Sequence, residues 1–450
     1  MKESLINAIS NLYGHAIIDL YVIRSKPEKK NLYSKKQLKK NKKTNSNSYD
    51  MSNVLILAAT KNNNQEDSNK DKETIFNAGI FCNEYINTHD KKVILYISKI
   101  DTSGWETLER QPLSLIRAII LGYLSYYQNL YKNTGFSVTL HLYTRAKPNY
   151  LFPTSDDAKN VNKHVLTDSE LINWWIKTLS HFPKVFIPEK GFWYCPTGER
   201  IGQMQTIMKE DNIDDLKDKL KSDSSICQWT WGYPFEKTAF ALETIPQFPD
   251  DPKNSLIHSE KRASLIHEKT TVREFFEYLA IENFSGSVSA CMILNILSSQ
   301  EGNEKVENSK IYLSSKEFDT LMDVVLSLNY ALEEDSINSS TTLHDHLNNL
   351  NDKILHFNYE LNKDLEKDAN DTNGTNTSGT INNLTCSIKR KNVNDIQGLI
   401  KKKKVTPTKE SDSGINNLQG LIKRKKPTTT QEQNNNVNNI QSLIKRKSKK

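Results

Sequence analysis

Glycine and proline are scarce, 16 and 13 among 450 residues. That excludes collagen-like chains and long Gly- or Pro-rich linkers. The five cysteines, Cys82, Cys195, Cys227, Cys291 and Cys386, lie far apart, and none stands in a C-x-x-C pair. An odd, dispersed set fits a reducing compartment, so neither a disulfide framework nor a zinc site is expected. No uninterrupted apolar run reaches the roughly 20 residues of a membrane-spanning helix. The opening MKESLINAISNLYGHAIIDLYVI lacks a charged n-region and a small-residue cleavage site, so no secretory leader is expected. The expectation is a soluble intracellular protein without a membrane partner.

What is present is unevenly distributed. All six tryptophans fall between Trp105 and Trp231, which places the folded body in the first three quarters of the chain. Residues 384–450 carry 17 Lys+Arg against 4 Asp+Glu, a net of +13. The total is +7, so residues 1–383 carry −6. Residues 26–43 hold nine lysines and one glutamate. The sequence thus divides into a body, 1–366, and a basic tail, 367–450. Within the body, residues 25–50 and 61–72 are polar, with few apolar anchors, and are expected to be disordered insertions. Basic segments point to anionic partners: nucleic acid, acidic proteins or a nuclear import receptor.

The tail repeats one short unit four times: NNLTCSIKRK, NDIQGLIKKKK, NNLQGLIKRKK and NNIQSLIKRK. Leu384/Ile388, Ile396/Leu399/Ile400, Leu418/Leu421/Ile422 and Ile440/Leu443/Ile444 give one helical turn with an apolar face, then a cationic cluster. A single turn does not nucleate alone, so the unit should order only on a partner. Expansion of a low-complexity import signal explains the same pattern equally well.

Periodicity in the body predicts a helix and then a strand over residues 1–24, strands at Val54–Thr60, Ile75–Tyr85 and Val93–Ser98, and a helix over Leu113–Tyr131. A strand follows at Phe136–Tyr143. Thr167-Asp-Ser-Glu170 reads as a capping box before a helix at Leu171–Leu179. Val272–Glu282 reads as a helix, and Val288–Leu297 as a helix or a strand. Helices over Glu317–Leu332 and Leu343–Leu365 close the body. The fold class is α/β, a single body with a mixed central sheet surrounded by helices, and a disordered basic C-terminal tail.

Several stretches carry candidate chemistry. Asp101 ends a strand before the turn Thr102-Ser-Gly104, where a simple Asx-turn residue is the plain alternative. Arg110 and Pro112 precede a helix, and a loop entering a helix N-terminus supplies N–H donors for pyrophosphate. Trp174 and Trp175 are adjacent on one helix and point about 100° apart, so one packs while the other can line a cavity. Asp250-Asp251-Pro252-Lys253 places two carboxylates between Pro249 and Pro252 in an extended or turn geometry. A lysine amine is nucleophilic only when neutral, yet free lysine titrates at about 10.4. A neighbouring carboxylate can take the proton, directly or through water.

The stretches T-R-x-x-x-x-Y-L-F-P at Thr144–Pro153, E-L-x-x-W-W at Glu170–Trp175 and F-P-D-D-P-K at Phe248–Lys253, in this order, resemble the fungal histone H3 acetyltransferase family known as regulator of Ty transposition. That family is similar in fold to the CREB-binding-protein-type acetyltransferases. The resemblance spans roughly residues 5–365. It implies transfer of acetyl from acetyl-CoA to a lysine of histone H3 by direct attack in a ternary complex. It also implies histone chaperones presenting H3–H4, a nuclear location, and links to chromatin assembly, DNA replication and the DNA damage response.

The same resemblance assigns catalytic roles to Asp251, Asp101, Trp175, Tyr150 and Asp250, with Trp175 and Tyr150 lining the lysine's path. It assigns acetyl-CoA binding to Ile100, Asp101, Thr102, Arg110, Gln111, Pro112, Leu113, Ser114, Tyr143, Lys147, His164, Val165, Leu166 and Trp174. It makes Lys253 an autoacetylated lysine. The loop between Asp101 and Arg110 is one residue longer than the family form, and Lys147 replaces a small residue. No metal is expected. The rival reading is a non-catalytic histone- or nucleic-acid-binding adaptor.

Overall fold

The computed structural model describes residues 1–33, 48–62, 74–105, 108, 113–195, 228–251, 253, 257, 266–281, 290–300, 302, 304 and 311–363. The tail and its repeats lie outside them, as do Arg110, Gln111 and Pro112. A compact unit, Met1–Ala369, carries everything described below.

Helix α1 (Lys2–Ile9) leads into β1 (Gly14–Arg24), then β2 (Glu28–Asn31), β3 (Ser48–Asn62), β4 (Thr74–Asn87) and β5 (Lys92–Thr102). Helix α2 (Leu115–Tyr131) connects β5 to β6 (Ser137–Thr144), and α3 (Asp168–Ser180) follows. Next come β7 (Lys190–Tyr194), β8 (Gln228–Trp231), the single turn α4 (Ala241–Thr244), α5 (Val272–Ile281) and β9 (Ala290–Leu297). Helices α6 (Ser315–Val325) and α7 (Glu333–Asn348) precede the final strand, β10 (Leu355–Lys363). The strands form one ten-stranded mixed sheet, ordered β10-β1-β3-β4-β5-β6-β9-β7-β8, with β2 on β3. The β5–β6 and β7–β8 pairs are parallel and the others antiparallel.

Strand alternation sorts the two faces. Val93, Leu95, Ile97, Leu140 and Leu142 face α1, α2 and α3, where Ile119, Ile120, Ile172 and Trp175 complete an aliphatic core. Gly122 lets α1 approach α2, since a Cβ there would stand 2.9 Å from the Cα of Leu5. The alternate residues Ile94, Tyr96 and Tyr143 face an aromatic core with Tyr85, Phe248, Phe275 and Phe276 under α4 and α5. A third cluster packs α6 and α7 on β1, β3 and β4 through Tyr21, Leu57, Phe76, Phe318 and Leu343.

The capping box forms as the spacing predicts: the Thr167 hydroxyl accepts from the Glu170 amide, and the Glu170 carboxylate accepts from the Thr167 amide. Of the stretch read as helix or strand, Ala290–Leu297 is a strand. Two expectations need correction. Residues 28–31 and 48–50 are paired strand rather than disordered insertion, because Leu32 and Tyr49 are buried in the aromatic core. Residues 355–363 are strand, not the end of a helix over Leu343–Leu365. The alternation Leu355, Phe357, Tyr359, Leu361 gives the strand its inner row, and pairing with β1 outweighs local helix propensity. Helix α6 likewise stops at Val325, short of Leu332.

Candidate functional site

The sheet opens between two of its strands. The parallel β5–β6 ladder runs from Lys92↔Ser137 to Tyr96↔His141 and ends there. Beyond it, β5 pairs with β4 through Thr102, and β6 pairs with β9 through Thr144. Two parallel strands that part at their carboxyl ends leave a crevice, the usual ligand position in such sheets. Because α2 crosses over from β5 to β6, its N-terminus lies at the same end.

On the helix side, Ser114 is the N-cap of α2 and makes no side-chain cap bond, so the first-turn N–H groups keep donor capacity toward an anion. Arg117 sits in that first turn with its guanidinium 5.2 Å from the Trp174 ring centre. Burial lowers the Arg117 pKa. Trp174 meets Trp175 edge-on at 5.2 Å. Trp175 is buried in the aliphatic core, while Trp174 and Leu166 pack at its margin. His164 and Val165 are exposed.

A β-bulge shapes the opposite side. Lys99 pairs with Phe81, but the next rung joins Ile97 to Cys82, so Ser98 is the extra residue. The bulge reverses the alternation. Ile100, not Lys99, follows Ile97 onto the helix-side core, and Lys99 and Asp101 turn to the other face. There the Asp101 carboxylate is saturated. One oxygen accepts the backbone N–H of Tyr150 (2.6 Å), Leu151 (2.8 Å) and Phe152 (3.1 Å). The other accepts the Thr102 N–H (2.9 Å) and the Lys163 ammonium (2.6 Å). Lys163 also donates to the Thr102 carbonyl. Gly104, at φ +89°, lets Asn160 and Lys163 close over the turn; a Cβ there would meet both at 3.0 Å.

Asp250 pairs with Lys99 and accepts from the Ser98 hydroxyl at 3.3 Å, and its backbone carbonyl accepts from the Tyr96 hydroxyl at 3.1 Å. Asp251 and Lys253 form an ion pair with both side chains fully buried, and Asp251 also accepts the Lys253 amide N–H at 2.9 Å. The Lys253 ammonium lies 4.1 Å from the Tyr143 ring centre and 5.1 Å from that of Phe248. Burial pushes the Lys253 pKa well below the usual lysine range, against an opposing pull from Cys291. His141, where the ladder ends, is buried and its Nδ1 has no hydrogen-bond partner. Burial, then the charge of Lys253, lowers its pKa to about 3, so the imidazole stays neutral. The Tyr143 hydroxyl is also unpartnered.

Residues 123–346, about half the chain, match the family described as the histone acetyltransferase KAT11-type domain. The chain belongs to the KAT11-type histone acetyltransferase family. It is 27% identical over 188 residues to histone acetyltransferase rtt109 of Schizosaccharomyces pombe, covering 41% of this chain and 47% of that protein. It is also 27% identical over 188 residues to histone acetyltransferase rtt109 of Aspergillus flavus, covering 36% of this chain and 32% of that one. The chain therefore spans from about a third to just under half of the length of these curated relatives. The crystal structure of Rtt109 from Aspergillus fumigatus shares the fold, with a TM-score of 0.60 at 18% identity over 81% of this chain and 99% of that one.

Within this KAT11-type body, the predicted residues separate by face. Trp174, Leu166, Leu113 and Ile100 lie with the helix-side core; Asp101, Asp250, Asp251 and Lys253 lie opposite, with the β5–β6 opening between. Asp101 holds the Tyr150–Phe152 turn through one carboxylate oxygen and Thr102 and Lys163 through the other. Tyr143 faces the Asp251 side, with the Lys253 ammonium over its ring. Trp175 packs in the core, and the Tyr150 hydroxyl donates to the Arg145 carbonyl at 2.8 Å within its own loop. Lys147 is exposed, its ammonium 5.3 Å from the Tyr150 ring centre. Sequence reasoning missed Arg117, Lys163 and His141. A cation one turn into α2 was a readable signal for the first; nothing local marks the other two.

Proposed function

We propose that this chain is a histone lysine acetyltransferase that transfers acetyl from acetyl-CoA to histone H3. The observation that carries the proposal is the opening between β5 and β6, with a helix N-terminus on one side and the buried Asp251–Lys253 pair on the other. The first turn of α2 and Arg117 suit the CoA pyrophosphate, an anion that calls for fixed N–H donors and a guanidinium. Trp174, Val165 and Leu166 offer apolar surface to the pantetheine arm, and Ser114 and Leu113 flank the entry.

The substrate lysine enters on the Asp250–Asp251 side. Its stem gains from the aromatic wall while its amine approaches the thioester. Asp251 accepts a proton, directly or through water, and the neutral amine attacks the carbonyl carbon without a covalent enzyme intermediate. Lys253 is itself a candidate for self-acetylation, since its burial favours the unprotonated form. Acetylation would remove one charge beside Asp251. Histone chaperones presenting H3–H4, a nuclear location and tail-mediated import belong to the same reading, as do roles in chromatin assembly and the damage response.

The test is acetylation of H3–H4, with and without chaperone, by wild type and Asp251→Asn, with product lysines mapped by mass spectrometry. Acetyl-CoA binding lost in Trp174→Ala supports the enzyme; no acetyl-CoA binding by the wild type favours the adaptor.

A further inference from the structure

The bulge at Ser98 turns Lys99 toward the aspartate pair. Its ammonium pairs with Asp250, donates to the Ser98 hydroxyl at 3.3 Å and lies 5.2 Å from the Phe81 ring centre. Its side chain is 19% exposed. Burial, then the charge of Lys147, lowers its pKa to about 8. At pH 7 about a tenth of this amine is unprotonated, whereas an ordinary lysine is almost wholly charged. Lys99 stands on the part of β5 that has left β6, so it borders the opening itself. An acetyl acceptor needs a neutral nitrogen, a carboxylate to take the proton and a thioester in reach. Lys99 has the first two, and the reading under Proposed function, on which this inference rests, supplies the third.

We propose that Lys99 is a self-acetylation site, modified from acetyl-CoA held between β5 and β6 and thereby detached from Asp250. The Nζ lone pair attacks the thioester carbonyl carbon. The N–C bond forms, the C–S bond breaks, CoA leaves as thiolate, and the amine proton passes by way of Asp250 to that thiolate. The product amide is neutral, so the mouth of the site gains one uncompensated negative charge where a basic substrate enters.

The full chain is incubated with acetyl-CoA and its peptides are mapped by mass spectrometry, with acetylation of H3–H4 measured in parallel. Acetyl at Lys99 is expected in wild type and in Lys253→Arg, and its loss is expected in Lys99→Arg and in Trp174→Ala. Histone labelling without acetyl at Lys99 overturns this inference alone. Labelling of neither overturns the enzyme reading with it. Acetyl at Lys99 that persists in a Trp174→Ala chain unable to bind acetyl-CoA means solution chemistry and overturns self-catalysis. Lys99→Gln, standing for the acetylated form, should lower the KM for H3 about two- to five-fold relative to Lys99→Arg. Equal KM values overturn the release of Asp250.

Discussion

The two faces of the sheet are built for different ends. The helix-side face is largely aliphatic: Leu95, Ile97, Leu140 and Leu142 meet Ile119, Ile120 and Trp175, and its ion pair, Arg24–Glu84, is tied to the Tyr127 and Tyr123 hydroxyls. The opposite face is aromatic and polar. Tyr96 stacks on Phe248 at 4.3 Å, and a buried ion pair, a neutral histidine and an unpartnered tyrosine hydroxyl share the space. Buried polar groups without full satisfaction cost stability. Their concentration on one face, beside the gap in the sheet, separates the part that stabilises the fold from the part that performs chemistry.

The sharpest way to break that comparison is Asp251→Asn. It should reduce histone acetylation by about 10²–10⁴-fold. Removing the carboxylate that pairs with the buried Lys253 amine should also destabilise the fold by about 3–5 kcal/mol. Replacing both residues with apolar ones of similar volume should restore most of the stability, read by chemical denaturation, and none of the activity.

Next comes the tryptophan pair. Trp175→Ala should cost about 3–5 kcal/mol by opening a cavity in the aliphatic core. Trp174→Ala, at the core's margin, should cost much less and instead weaken acetyl-CoA binding, measured by calorimetry. Equal stability losses in the two variants would erase the distinction between them.

A smaller loss is expected of Asp101→Ala. Four backbone N–H donors and the Lys163 ammonium lose their acceptor; with water taking the vacated carboxylate's place, the net loss should be about 1.5–3 kcal/mol, read by chemical denaturation. The Tyr150–Phe152 turn should become faster in amide exchange, while acetyl-CoA binding in Asp101→Asn, which keeps the shape, should fall less than in Asp101→Ala.

The smallest effect concerns pH. His141 titrates near about 3 when folded and near about 6.5 when unfolded. Below the unfolded value the unfolded chain binds the extra proton, so its contribution is complete above pH 6.5 and is lost as pH falls toward 3. Between pH 6.5 and 5 that is about 2 kcal/mol. His141→Phe should flatten this limb of the stability profile; an unchanged limb would mean the histidine is not held neutral.

Much of this was readable from residues. The strand at Val93–Ser98 and the capping box at Thr167–Glu170 fall where the sequence places them. The bulge was not read there: the break of the apolar row between Ile97 and Ile100 does not mark which residue is extra. Its consequence depends on β4, because the register with Phe81 and Cys82 decides which face Lys99 and Asp101 take. The saturation of Asp101 was hidden for the same reason: its partners arrive from residues 150–152 and 163. Strand β10 was hidden by its neighbour. An apolar repeat continuing from α7 looked helical until the exposed edge of β1 supplied a pairing partner.

That last strand closes the molecule on its own beginning. Gly14 pairs with Lys363 and Val22 with Leu355, and His15 bonds Asn362 across 347 positions of chain. During synthesis, β1 must therefore wait with one row of amides and carbonyls unpaired until nearly the whole body has left the ribosome. A chain cut before Leu355 would keep that edge open permanently and invite strand addition from other molecules.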